Sequence, residues 1–136
     1  MLEFKNILYP IDLDSKNIYS LRKALEFAHS FNCPIHILYV NDIEAGYRHP
    51  TDREDAVALR VKELVAESLI ENMNIIYAVS KGETAEEIVK YARENHIDLI
   101  IIGHKHREKL YAAMFDSTDI STIDKASLPV LVIPEK

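Results

Sequence analysis

Two stretches of the sequence carry polar side chains directly after apolar runs. "YPIDLDS" places Asp12 and Asp14 after the first apolar run. "DLIIIGHKHREKLYAAMFDST", residues 98–118, ends a later apolar run at Gly103 and continues with basic and acidic side chains. A glycine at the end of a buried strand is typical of phosphate-binding turns in open α/β sheets. The stretch therefore fits a nucleotide site, a nucleotide site that has been lost, or an ordinary loop.

Catalytic and metal-binding interpretations have less support. Asp12, Asp14 and Ser15 form no acid–base pair with a nucleophile at a known spacing, and the sequence has no Gly-x4-Gly-Lys phosphate loop. We therefore expect no enzymatic activity and no catalytic residue. His104 and His106 could share a metal ion, but zinc sites need three or four ligands, and the other histidines lie on different predicted elements. A solvent-exposed loop is the preferred interpretation, so no metal site is expected.

Strands and helices alternate along the chain and must position these residues. Apolar runs predict five strands: FKNILYPID, CPIHILYVND (centred on residues 35–40), NIIYAVSKG, IDLIIIG and LPVLVIP. Helical spacing predicts SKNIYSLRKALEFAHSF, capped by Ser15, and one long helix over residues 53–73, capped by Thr51 or Asp52. ETAEEIVKYARENH and REKLYAAMFDSTDISTIDKA are the remaining helices. The order βαβαβαβαβ predicts a single domain, 1–136, with a parallel sheet whose ligands bind beyond the carboxyl ends of strands one and four.

Composition argues against several classes of protein. The 136-residue chain has a formal net charge of −6, which argues against binding to a phosphate backbone, so no nucleic-acid partner is expected. The sequence has neither a basic leader with an apolar segment nor an apolar run near the ~20 residues of a membrane span, so no membrane partner is expected. Cys33 is the only cysteine, which leaves no intramolecular disulfide and fits a cytoplasmic location.

Three parts of the chain resemble the universal stress protein family, over nearly its whole length. "KNILYPIDLDS" resembles the first strand and aspartate loop of the family, and "HILYVND" resembles its second strand. Residues 98–134 resemble its closing third, where nucleotide-binding members show Gly-x2-Gly-x9-Gly-Ser/Thr. The resemblance implies a doubly wound, Rossmann-like α/β fold of the HUP type, with a five-stranded parallel sheet in the order 3-2-1-4-5. It also implies a small stress-linked protein, some of whose relatives bind ATP or another adenine nucleotide.

The resemblance also assigns candidate nucleotide-binding residues. Asp12 matches the aspartate that contacts the adenine or ribose, Val40 matches the residue whose backbone meets the base, and Ser117 matches the phosphate-binding serine. The full set of candidates is Pro10, Ile11, Asp12, Val40, Ile102, Gly103, His106, Ser117 and Thr118. Asp12 could equally cap or brace the turn after strand one.

His106 and Asp116 depart from the glycine motif, because they stand where its second and third glycines belong. Glycine permits positive φ and lets phosphate oxygens approach backbone N–H groups. The basic residues beside His106 could partly replace these backbone contacts with the phosphate. Asp116 is less favourable, because a carboxylate ~4 Å from a phosphate costs roughly 1 kcal/mol in water and about 4 at a partly buried site. We therefore expect a regulatory or binding protein without a cofactor, which does not bind ATP in the usual manner. An adenine-nucleotide sensor with a modified phosphate loop is the alternative, and a slow ATP hydrolase ranks third.

The last apolar run, LPVLVIP, predicts an edge strand whose backbone groups favour pairing with another chain. The family resemblance implies pairing with the same strand of a second subunit. We therefore expect a homodimer through Val130, Leu131, Val132 and Ile133, together with protein partners that the sequence does not identify. The alternative is a monomer in which Pro134 and the charged tail protect the edge.

Overall fold

The fold is built on one parallel sheet. The computed structural model describes residues 3–14, 18–104 and 127–134. Its strands are β1 (Ile7–Pro10), β2 (Ile35–Asn41), β3 (Ile75–Lys81), β4 (Leu99–His104) and β5 (Val130–Pro134). All neighbouring strands pair in parallel, in the order β3-β2-β1-β4-β5. The expected doubly wound α/β fold and its strand order are confirmed.

The central strands are apolar on both sides because helices cover both faces of the sheet. Successive side chains of a strand point to opposite faces, so each strand contributes to two cores. One core contains Ile7, Tyr9, Ile35, Ile37, Tyr39, Leu99 and Ile101. The other contains Leu8, Leu38, Val40, Ile100 and Ile102.

Within the described residues, four α-helices pack on the sheet: α1 (Tyr19–Ser30), α2 (Glu54–Leu64), α3 (Glu67–Ile70) and α4 (Thr84–Glu94). α1 and α2 supply Leu21, Leu25, Val57 and Val61 to the first core, whereas α4 supplies Ile88 and Ala92 to the second. Burying one such Leu, Ile or Val side chain contributes about 1.5–3 kcal/mol. No helix in the described part of the chain is long and apolar enough to cross a membrane.

The predicted long helix over residues 53–73 is wrong in one respect. It divides into α2 and α3 because Val65 adopts an extended backbone, with φ −126° and ψ 154°, and its side chain packs into the first core with 6% of its surface exposed. A β-branched residue tolerates the extended conformation well. Val65 still donates its N–H to the Val61 carbonyl, at 3.0 Å, and the helix ends there.

Two predicted helix caps are also wrong. α1 begins at Tyr19 with Ile18 in the capping position, so the cap is not Ser15, which itself lies outside the described residues. α2 begins at Glu54 with Arg53 in the capping position and no side-chain cap. The Thr51 hydroxyl instead accepts a hydrogen bond from the Arg53 N–H, 3.2 Å away, one residue before the helix. The helix predicted over residues 107–126 falls in the part of the chain that is not described.

Candidate functional site

A crevice opens at the carboxyl edge of the sheet where β1 and β4 part. These two strands pair only at Ile7↔Leu99 and Leu8↔Ile100, whereas β1 follows β2 to the pair Pro10↔Leu38. Beyond Leu8, β1 and β4 are no longer paired. This is the switch in strand order where open α/β sheets bind ligands.

Asp12 lies at the β1 side of this crevice, in the turn that the sequence singled out. Its Oδ1 accepts a hydrogen bond from the Asp14 N–H, at 2.9 Å. Asp14 Oδ2 accepts in turn from the Arg48 N–H, at 2.8 Å, and Arg60 Nε donates to the Leu13 carbonyl, at 3.3 Å. Asp12 therefore does brace the turn after β1, and the chain segment that follows β2 holds this turn in place.

Val40 contributes backbone groups rather than its side chain. The side chain is 1% exposed and packs in the second core. The Leu38 carbonyl faces β1 and accepts from the Ile11 N–H, at 2.9 Å. Backbone groups of alternate residues in a strand point to the same side, so the N–H and C=O of Val40 face the space beyond the end of β1. A planar ligand with both a donor and an acceptor at its edge would meet them there.

Asp42 fixes the exit of β2 to the start of α4. Its Oδ1 accepts from the Glu44 N–H, at 3.0 Å, and starts a short 3₁₀ turn, Ile43–Ala45. Its Oδ2 accepts from the Thr84 N–H, at 3.0 Å, and from the Thr84 hydroxyl, at 2.8 Å. The sequence-based prediction missed this residue. An aspartate just before a turn that ends in glycine is a recognisable capping signal, but its partner lies 42 residues away.

Two tyrosines pack on each other near the end of β2. The rings of Tyr39 and Tyr47 lie 5.3 Å apart between centroids, at an angle of 51°. Tyr39 is 1% exposed, and its hydroxyl lies near the Thr51 backbone without a hydrogen bond of standard geometry to any described residue. Burial, followed by the charges of Asp14 and Asp12, raises the pKa of Tyr39 to about 12, and the nearby Thr51 backbone opposes this rise.

Tyr47 is surrounded by the same carboxylates and was not anticipated from the sequence. Burial, followed by the Asp12 charge, raises its pKa, and Asp42 and Tyr39 act in the same direction. Its side chain is hydrogen-bonded to Thr84. Since the Thr84 hydroxyl donates its one hydrogen to Asp42, the Tyr47 hydroxyl donates to the Thr84 oxygen. Both tyrosines are therefore neutral at physiological pH, and the described half of the crevice is acidic.

The remaining candidates divide into buried residues and residues that are not described. Pro10, Ile11 and Ile102 are buried, so their side chains serve the core and only their backbone groups face the edge. Gly103 lies at the end of β4, opposite Ile133 of β5. His106, Asp116, Ser117 and Thr118 lie outside the described residues, as do the basic neighbours of His106.

The described residues hold no group of three or more His, Cys, Asp or Glu side chains that could bind a metal ion. The hypothesis of a metal shared by His104 and His106 involves side chains beyond the described part of the chain.

The fold and the crevice define a doubly wound α/β protein of the class that binds ligands at a switch in strand order. Within that class, the chain belongs to the universal stress protein family, whose family model matches residues 3–134. The resemblance of the sequence to this family is thereby confirmed.

Individual relatives agree with this assignment. Universal stress protein MJ0531 of Methanocaldococcus jannaschii is 25% identical over an alignment of 141 positions, which covers 96% of this chain and 82% of that protein. A crystal structure of a universal stress protein in complex with cAMP matches with a TM-score of 0.70 and 14% identity, covering 99% of this chain and 100% of the other. The Archaeoglobus fulgidus protein in complex with dAMP matches with a TM-score of 0.57 and 22% identity, covering 99% and 100%. At these identities the two structures show that the fold is shared.

Proposed function

We propose that this chain is a small stress-linked regulatory protein that acts by binding, and that it does not bind ATP in the manner usual for its family. The replacement of two motif glycines by His106 and Asp116 carries this proposal, and the acidic character of the described crevice agrees with it. Asp12 and Asp14 follow β1, Asp42 follows β2, and the charges of all three raise the pKa of the crevice tyrosines. The proposal includes a cytoplasmic location and the absence of enzymatic activity.

Charge repulsion supports this proposal over ATP binding. Arg60 reaches the turn after β1, but its Nη1 already lies 3.2 Å from the Glu63 carboxylate. A phosphate ~4 Å from one carboxylate costs roughly 1 kcal/mol in water and about 4 at a partly buried site. Asp116 adds a further carboxylate in the motif that should hold the phosphates. A triphosphate, with the highest charge among adenine nucleotides, is therefore the least suitable ligand.

An adenine-nucleotide sensor is the second candidate. Its support comes from the Val40 backbone groups and Asp12 at the edge, and from the two related structures described in complex with cAMP and dAMP. Both ligands carry a single phosphate, so they suffer less repulsion than ATP. In this hypothesis a nucleoside pocket between Asp12 and Val40 persists, while the binding site for the triphosphate is weakened. A slow ATP hydrolase ranks third, because the described residues offer no general base paired with a metal cage.

A homodimer through residues 130–133 is part of the proposal. β5 is the last strand of the sheet and pairs with β4 on its inner side. Leu131 on this strand is 37% exposed although it is a large apolar side chain. Pairing of two such edges would bury this side chain and satisfy the outer backbone groups of the strand.

A thermal-shift titration tests the function. The purified chain would be titrated with ATP, ADP, AMP, cAMP and adenosine, each with and without Mg²⁺. Binding to the folded state at ~100 times Kd adds about 2.7 kcal/mol to the free energy of unfolding, which is a visible shift in Tm. We expect no shift with ATP. A saturable ATP shift that is lost in Asp12→Ala would contradict the proposal and establish the nucleotide sensor.

A further inference from the structure

We propose that residues 42–53 form a lid over the nucleoside half of the crevice, with the Tyr47 side chain as its plug, so that a planar ligand enters only after Tyr47 has left. The inference rests on the nucleoside pocket between Asp12 and Val40 that belongs to the second candidate function, the adenine-nucleotide sensor. It adds a device that regulates entry to this pocket, built from residues that the glycine motif does not include.

Tyr47 lies beside residues that flank the exits of β1 and β2. A ligand that reaches both the Asp12 carboxylate and the Val40 backbone must occupy the space between the exits of β1 and β2. The Tyr47 ring packs on Tyr39, the residue before Val40, at 5.3 Å. The Asp12 charge contributes to the raised pKa of Tyr47, and the Tyr47 hydroxyl is hydrogen-bonded to Thr84 at the start of α4. A half-buried aromatic side chain therefore lies next to the position that the proposal gives to a flat heterocycle.

The described contacts hold the lid in its closed position at several points. At its start, Asp42 Oδ2 accepts hydrogen bonds from the Thr84 N–H and hydroxyl, at 3.0 and 2.8 Å. Its middle is fixed where the Arg48 N–H donates to Asp14 Oδ2, at 2.8 Å. Tyr47, between these points, has the hydrogen bond to Thr84 and the ring contact with Tyr39. Removal of the Tyr47 side chain therefore removes one hydrogen bond and one ring contact from the closed state.

The backbone of the lid is suited to opening. Gly46, next to Tyr47, has φ +73°, a left-handed conformation that glycine adopts without strain. A β-carbon built on Gly46 would meet no atom within 4 Å, so its surroundings are open. Arg48, His49 and Pro50 are exposed, and no strand or α-helix includes them. Segments with exposed backbone and few buried contacts lie at the low-stability end of a fold and open locally.

A lid and a stacking wall make opposite predictions. If Tyr47 plugs the pocket, its removal increases the population of the open state and tightens binding, because the apparent Kd equals the intrinsic Kd divided by the open fraction. If Tyr47 instead stacks on the bound base, its removal weakens binding. The sign of the change in affinity decides between these roles, whatever the absolute affinity of the wild-type chain.

The test compares adenosine binding by calorimetry in the wild type, Tyr47→Ala, Tyr47→Phe and Tyr19→Ala. We expect Tyr47→Ala to bind at least about tenfold more tightly than the wild type, the gain for a lid that is closed about 90% of the time or more. Tyr47→Phe keeps the ring and loses only the bond to Thr84, so a smaller gain is expected. Tyr19→Ala, a tyrosine on α1 away from the crevice, serves as the matched control and should bind like the wild type.

Two further measurements keep the outcomes distinct. Asp12→Ala in the Tyr47→Ala background should remove the gained affinity, which places the ligand in the crevice. Hydrogen exchange at the Arg48 amide should accelerate in both Tyr47 variants without any ligand, because the lid opens more often. Equal or weaker adenosine binding by Tyr47→Ala overturns the lid. Stabilisation of the wild type by ATP contradicts the proposed function instead. Because the lid is tested with adenosine on Tyr47→Ala and the function with ATP on the wild type, the two failures can be told apart.

Discussion

Asp42→Ala is expected to destabilise the chain strongly, although Asp42 lies at the surface edge of the sheet. The variant removes the acceptor of three hydrogen bonds, two from Thr84 and one from the Glu44 N–H. Thr84 is 3% exposed, so its N–H and hydroxyl would lose their partner in a place that water reaches poorly. An unsatisfied buried polar group costs about 1–3 kcal/mol, and hydrogen bonds to charged groups contribute about 1.5–3 kcal/mol each.

These contributions share one carboxylate and are not additive, so we expect a loss of about 2–4 kcal/mol in the free energy of unfolding. An unfolding entropy of about 2.1 cal/mol/K per residue over 136 residues amounts to about 0.29 kcal/mol/K. A loss of about 3 kcal/mol therefore lowers Tm by about 10 °C. Urea denaturation followed by circular dichroism measures the free energy, and differential scanning calorimetry measures the Tm.

Asp52→Ala provides the control for this prediction. Asp52 is an exposed aspartate in the same segment, so its removal should change the free energy of unfolding by no more than about 0.5 kcal/mol. If the two variants unfold alike, the bonds from Asp42 to Thr84 contribute little and the described link between β2 and α4 is not a source of stability. Asp42→Asn keeps one acceptor oxygen and should fall between the two.

Three further outcomes are expected. Burial lowers the pKa of His36, so the unfolded chain binds a proton more readily than the folded chain. The free energy of unfolding should therefore decrease as the pH falls below about 6.5. Urea titrations of His36→Gln should show a smaller decrease. Gly82→Ala should cost about 1–3 kcal/mol, because φ is +150° and the new β-carbon would lie 2.9 Å from Glu87 Cγ; denaturation indistinguishable from wild type would refute this. Leu131→Asp should convert the expected dimer to a monomer in sedimentation equilibrium, whereas Leu59→Asp, at a more exposed leucine on α2, should not.

The pH prediction has a structural basis in the contacts of His36. Its Nε2 lies 3.2 Å from Asn6 Oδ1, which can only accept, so Nε2 carries the hydrogen and donates. Its Nδ1 lies 2.6 Å from the Tyr91 hydroxyl and accepts from it. The neutral ring thus satisfies both partners, and a second proton would force the Tyr91 hydroxyl to turn away. Glutamine retains a donor and an acceptor but does not titrate.

Local patterns in the sequence determined most of the fold. The five apolar runs correspond to the five strands, and their alternation with helices led to a parallel sheet, because crossovers of this length leave few other arrangements. The runs also placed Asp12 and Gly103 at strand ends, where the sheet has its carboxyl edge. Helix boundaries were less accurate: the helix ends where Val65 adopts an extended backbone, although helical spacing continues through this residue.

The site depended on contacts between distant residues, and only the tertiary structure decided those. The sequence by itself indicated that Asp12 follows a strand, but the position of Tyr47 against Tyr39, Thr84 and Asp12 arises from three elements that fold together. The bond from Thr84 to Asp42 likewise joins residues 42 positions apart. Hydrophobic periodicity is a property of neighbouring residues, so it specifies strands and helices. Which side chains meet at the ends of those strands depends instead on strand order, register and loop paths.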